Sequence, residues 1–141
     1  MPPQSLMEPV AVVAAFSKAW EYGDIDSAMR YVAPDVVYRL YISETAIPWG
    51  GEVSGAQALR AAFVRIRQEF EYILYRTFPS VADGNSVRQR VEFMYRHRAS
   101  GEVLSGRFRM IYEVRDGLLV RADEYHDRAM VETFMRLFGA G

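Results

Sequence analysis

Arg90 and Glu92 stand two residues apart in the strand-like run Val87 to Arg98, and Glu124 stands two before His126 at the end of the run Leu118 to Tyr125. Alternate residues of a strand share a face, so Arg90 and Glu92 look the same way, as do Ala122, Glu124 and His126 if pairing continues that far. An unpaired charge in an apolar interior is costly, so an inward placement of these groups points to chemistry rather than packing. Two carboxylates in one apolar cavity have their pKa values pushed apart, so that one serves as acid and the other as base. An arginine between them holds geometry, Tyr38 of an earlier strand adds a neutral hydrogen-bond donor, and His126 adds a further hydrogen-bonding group if it points inward. Alternation also supports the opposite placement. Val87, Val91, Phe93 and Tyr95 make the apolar face of this strand, which by itself sends Arg88, Arg90, Glu92 and Arg96 to water.

The elements that must position these residues follow from periodicity. Val10, Val13, Ser17 and Trp20, with Ala14 and Phe16 beside them, recur at helical spacing until Gly23. Asp24 can cap a second helix whose stripe is Ile25, Ala28, Met29 and Val32, ended by Pro34. Val36 to Ile42 is strand-like, and residues 43–53 read as a loop carrying Trp49 as an exposed or lid residue. Ser54 and Gln57 have capping-box spacing ahead of an amphipathic third helix through Leu59, Ala62, Phe63, Ile66 and Phe70. The period then drops to two over Tyr72 to Phe78, Val87 to Arg98, Val103 to Val114 and Leu118 to Tyr125. Turn formers such as Asp83-Gly84-Asn85 and Asp116-Gly117 separate these runs. Arg128 to Phe138 closes the pattern as a short helix. The fold class is α+β, with three helices from the first half covering one side of a curved antiparallel sheet, within one domain of 141 residues whose core spans about 9–138.

Composition narrows the function. No cysteine is present, which removes disulfides, thiol nucleophiles and thiolate metal sites. Two histidines, His97 and His126, rule out a site of several imidazoles, so neither a metal nor a cofactor is expected. There is no Gly-x-Ser-x-Gly elbow, phosphate-binding Gly-x-x-x-x-Gly-Lys, dinucleotide fingerprint or His-Glu-x-x-His. A net charge of -1 gives no general pull toward nucleic acid, although Arg88, Arg90, Arg96, Arg98, Arg107 and Arg109 form a local basic patch. No run reaches the roughly 18 to 20 apolar residues of a membrane span, and no signal peptide is visible, so a cytoplasmic protein is expected.

The order of elements, the Gly23-Asp24-Ile25-Asp26 junction, the Ala33-Pro34-Asp35 entry to the first strand, and Asp116-Gly117 followed by Glu124-Tyr125-His126-Asp127 resemble the nuclear-transport-factor-2-like superfamily. Within it the chain is similar to the SnoaL-like proteins, from about Val10 to Phe138. The resemblance implies a cone of bent sheet and helices, and homodimers that pair through the outer sheet face. It further implies that Val87, Val91 and Phe93 form that interface and that Arg90 and Glu92 turn toward the cavity. Partial resemblance to the limonene epoxide hydrolases matches their Arg-x-Asp strand motif to Arg90 and Glu92, their last-strand aspartate to Glu124, and their tyrosine to Tyr38. Their asparagine falls on Leu40, and glutamates replace both aspartates.

These readings converge on a cofactor-independent acid–base enzyme that isomerises, hydrates or opens an epoxide of a small apolar molecule. Glu92 is the expected base, Arg90 its orienting partner and Glu124 the acid, with Tyr38 and His126 as hydrogen-bonding groups. Trp20, Phe63, Met94, Phe108, Met110 and Tyr112 are the expected pocket wall, with Phe16 and Trp49 as further substrate contacts. The competing reading is a non-catalytic ligand-binding or dimerisation module.

Overall fold

Pro9 opens helix α1 (Pro9–Glu21), where its missing N–H would find no partner in any case. Val12, Val13, Phe16, Ser17 and Trp20 then bury one face of this helix, which ends just before the left-handed Gly23 (φ 74°). A computed structural model describes residues 3–139, beginning with a 3-10 turn over Gln4–Leu6. After α1 come α2 (Ile25–Met29), β1 (Val32–Leu40), β2 (Gly51–Ser54) and α3 (Ala56–Glu69). The second half contains β3 (Phe70–Thr77), β4 (Val81–Asp83), β5 (Ser86–His97), β6 (Val103–Arg115), β7 (Leu118–Tyr125) and α4 (Arg128–Phe138).

The α+β architecture expected from periodicity is present. The seven strands form one curved, open sheet in the order β2-β1-β7-β6-β5-β3, with β4 paired to β5. All pairings are antiparallel except β1 with β7, which run parallel. That pairing explains why α2 is shorter than its apolar stripe suggests: Val32 pairs with Leu119, and the N–H of Leu119 donates to the Tyr31 carbonyl at 2.7 Å. The register slips between Val32 and Val37, where Pro34 has no N–H to offer a ladder. The expected loop over 43–53 contains the short strand β2, whose Ser54 pairs with Val37. Ser54 therefore does not cap α3. Gly55, at φ 92°, takes the N-cap position, and no side chain bonds there.

Register decides which residues meet the helices. Along β5, Val87, Gln89, Val91, Phe93, Tyr95 and His97 are buried, while Arg88, Arg90, Met94 and Arg96 are exposed. The inner face continues through the cross-strand partners Val91 with Phe108 and Gln89 with Met110, then Met110 with Glu124. The outer face continues through Arg90 with Arg109 and Glu92 with Arg107. Val87, Val91 and Phe93 thus belong to the core at 0–1% exposure and not to an outer interface. The physical reason is plain alternation, because the sheet turns its uncharged side toward α1 and α3.

The β6–β7 hairpin turns at Asp116 (φ 54°) and Gly117 (φ 76°), both left-handed. A methyl group on Gly117 would lie 2.0 Å from the Gln4 carbonyl oxygen. Gln4 itself donates from Nε2 to the carbonyls of Gly117 and Arg30, at 2.9 Å each. Gly117→Ala is therefore expected to cost about 2 kcal/mol by denaturant unfolding. Gly84→Ala, whose added methyl would meet open space, should cost visibly less; equal losses would refute the clash.

Candidate active site

Inside the sheet and helices lies a cavity of about 80 Å³. Helix α1 contributes Phe16 and Trp20, α3 contributes Leu59, Phe63 and Ile66, and α4 contributes Val131 and Met135. The segment between β1 and β2 adds Ile42, Ile47 and Trp49. Trp49, expected to be exposed or on a lid, is 8% exposed and packs edge-on to Phe70 at 6.5 Å. Tyrosines from four strands complete the wall: Tyr38, the pair Tyr72 and Tyr75, Tyr95, and Tyr112.

Glu124 is the single carboxylate in that wall. It projects inward from β7 beside Met110, and its two oxygens hold different partners. The Tyr38 hydroxyl donates to Oε1, and Oε2 meets Nε2 of His126 at 2.5 Å. His126 follows the last residue of β7, so its ring reaches the same cavity as Glu124, two positions earlier. The imidazole stacks on Phe108 at 4.4 Å and meets the edge of Phe93 at 5.5 Å. Nδ1 of the same ring is buried without a hydrogen-bond partner. Tyr38 is held by the edge of Phe63 at 5.8 Å. Burial, followed by the Glu124 charge, raises the Tyr38 pKa well above the usual tyrosine value, so the hydroxyl stays a donor. Tyr75, Tyr95 and Tyr112 are likewise raised, in each case chiefly by burial.

Three of the five expected chemical residues, Tyr38, Glu124 and His126, meet in this cavity. Arg90 and Glu92 do not join them. They lie on the opposite face of the sheet, where Glu92 pairs with Arg76 at 2.8 Å and with Arg107 at 3.6 Å. Among the expected wall residues, Phe16, Trp20, Trp49, Phe63, Phe108 and Tyr112 line the cavity. Met94 is exposed on the outer face, and Met110 is buried on the inner face away from the lining. The sequence reading missed Tyr72 and Tyr75 as a pair. A register shift between Tyr72 and Leu74 turns both inward although they are three residues apart, which strict alternation does not anticipate. Among the described residues, no three His, Asp or Glu side chains converge as a metal site would require.

The sequence matches the SnoaL-like domain over residues 13–122, well over half of the chain. The chain belongs to the SnoaL-like family. The matched stretch ends two residues before Glu124, so the carboxylate and His126 lie just beyond it. Solved structures share the fold of this SnoaL-like chain. An NTF2-like protein from Burkholderia thailandensis aligns with a TM-score of 0.79 at 20% identity, covering 92% of this chain and 98% of its own. A Mesorhizobium loti protein described as a candidate SnoaL-like polyketide cyclase gives 0.72 at 20% identity, covering 85% and 100%. A Rhodopseudomonas palustris protein described as a candidate isomerase gives 0.78 at 13% identity, covering 94% and 98%. No protein of curated function matches the sequence.

Proposed function

We propose that this SnoaL-like protein is a cofactor-independent acid–base enzyme that moves a proton on a small, largely apolar molecule, with Glu124 as the transferring group. The observation that supports it most is a lone carboxylate in an aromatic cavity, held from both sides by Tyr38 and His126. Glu124 removes a proton from a carbon made acidic by a neighbouring carbonyl and returns it to another carbon of the same molecule, so no proton is gained or lost. Tyrosine hydroxyls kept protonated by burial, among them Tyr75 and Tyr112, supply donors for the negative charge that develops on the carbonyl oxygen. Isomerisation fits this set better than epoxide opening, because the second carboxylate and the arginine that would position water lie on the far side of the sheet. Two structural neighbours carry the descriptions candidate polyketide cyclase and candidate isomerase, and the second accords with an isomerising reaction.

The test is a panel of enones and β-keto compounds assayed for turnover and for solvent deuterium uptake. Glu124→Gln is expected to lower kcat/KM by about 100- to 10,000-fold with circular dichroism unchanged. Glu92→Gln should leave it intact. Equal rates in the Glu124 variant and its parent, or neither turnover nor exchange on any member of the panel, would remove the catalytic reading. Binding without exchange would favour the non-catalytic ligand carrier, which the aromatic wall would serve equally well. For assembly, the outer sheet face is the proposed homodimer surface, since it exposes Met94, Val103 and Ile111 among its charges. Sedimentation across a range of concentrations checks this. No helix among the described residues is long and apolar enough to cross a membrane, and a cytoplasmic location remains part of the proposal.

A further inference from the structure

Arg67, in the last turn of α3, has an environment that the proton-transfer site does not account for. Its guanidinium carbon lies 3.7 Å from the centre of the Tyr72 ring and 4.4 Å from that of Trp20, and both rings line the cavity. Tyr72 in turn stacks on Tyr95 at 3.9 Å, so the cation ends a column of aromatic rings. On the other side, the guanidinium faces Gly23 of the α1–α2 turn, where an added methyl would sit 3.9 Å from Nη1. Nε and Nη2 are buried and have no hydrogen-bond partner. These two nitrogens form the edge that grips a carboxylate side-on through parallel N–H bonds. Buried donors are almost always satisfied, so two unmatched ones on this half-buried side chain call for a partner. No ion pair to Arg67 exists among the described residues.

We infer that Arg67 is an anion-recognition residue, and that the ligand of the cavity carries a carboxylate or comparable planar oxyanion that docks on the Nε–Nη2 edge once Trp20 or Tyr72 swings aside. The inference rests on reading the cavity as a ligand site and adds to it the chemical class: an apolar body with one acidic head. Ring contacts run from Tyr38 through Phe63 to Trp20 in the wall, and Arg67 stands behind Trp20, outside the lining. Phe63 touches Tyr38 at 5.8 Å and Trp20 at 4.6 Å between ring centres, so proton transfer occurs at one end of the aromatic wall and anion recognition at the other. Burial pulls the Arg67 pKa down, and an arriving carboxylate would reverse that direction. Trp20 and Tyr72 supply cation–π support but no acceptor for the Nε–Nη2 edge.

The experiment compares 3-phenylpropionate with its neutral isostere 3-phenylpropanamide, read by the intrinsic fluorescence of Trp20 and Trp49. The parent should bind the acid at least about 10-fold more tightly than the amide, the scale of one charge-assisted pair of hydrogen bonds. Arg67→Met should abolish the preference. If that variant fails to fold, Arg67→Lys, which keeps the charge but loses the fork, should reduce it severalfold. Equal binding of the two probes by the parent, binding of neither, or a preference that survives the Arg67 substitutions would overturn the assignment. Glu124→Gln separates the two ideas. It should abolish proton exchange while leaving the acid preference in place, so that either reading can fail without the other.

Discussion

Above pH 10 the protein is expected to lose stability steeply and to unfold with simultaneous ionisation of several tyrosines. Tyr38, Tyr72, Tyr75, Tyr95 and Tyr112 all have pKa values raised above the usual 10.0, and burial is the largest cause for each. The sign follows from which state holds the protons. Below pH 10 both folded and unfolded chains keep these hydroxyls protonated, so their contribution is fully present. Above it the unfolded chain releases protons that the folded chain retains, and stability falls as pH climbs toward the folded-state values. Each retained proton is worth about 1.4 kcal/mol per pH unit, so five together approach ~7 kcal/mol per pH unit. A domain of typical stability, about 5–15 kcal/mol, would exhaust its margin within one or two pH units of that threshold. Tyrosinate absorbance and far-ultraviolet dichroism recorded together give the check. Five of the nine tyrosines should ionise only as the fold is lost. Smooth titration of all nine with dichroism intact would show that these hydroxyls reach solvent. Tyr38→Phe, with one such group fewer, should move the alkaline midpoint upward.

Val91→Arg should unfold the protein, whereas Arg90→Gln and Glu92→Gln on either side of it should leave stability within about 1 kcal/mol. Val91 is 0% exposed and is paired with Phe108 on one side and Thr77 on the other. A guanidinium there would lie among apolar side chains without a partner, at a cost of about 4 kcal/mol or more. Arg90 is exposed, and the Glu92–Arg76 pair involves an arginine side chain that is 57% exposed, where an ion pair contributes at most about 1 kcal/mol. Thermal melts of the three variants decide the matter. A stable Val91→Arg protein, or collapse on neutralising Glu92, would reverse the two faces of the sheet and with them the composition of the cavity.

Strand β5 shows how much of the fold was legible. Its alternation of Val87, Val91, Phe93 and Tyr95 with Arg88, Arg90, Glu92 and Arg96 is enough to sort the strand, because one face of a sheet packed under helices must be apolar. Family resemblance alone would turn the strand over, since an arginine and a carboxylate two residues apart resemble a catalytic motif wherever they point. The helix α4 and the β6–β7 hairpin were equally readable, from an amphipathic stripe and an Asp-Gly turn. The capping box at Ser54 failed for a nonlocal reason: pairing with Val37 held that residue in a strand.

What the sequence determined unaided was the kind of fold, the period-two alternation of its long strands, and, on the condition that pairing reached His126, a shared side for Glu124 and His126. All three depend on local periodicity and on turn residues that act within a few positions. Only the tertiary structure decided that Tyr38 reaches Glu124 from 86 residues away, that a shifted register turns Tyr72 and Tyr75 inward together, and that the fork of Arg67 is buried without a partner. Those facts arise from pairings between distant segments, where a slip of one residue exchanges the two faces of a strand and no local pattern records the choice.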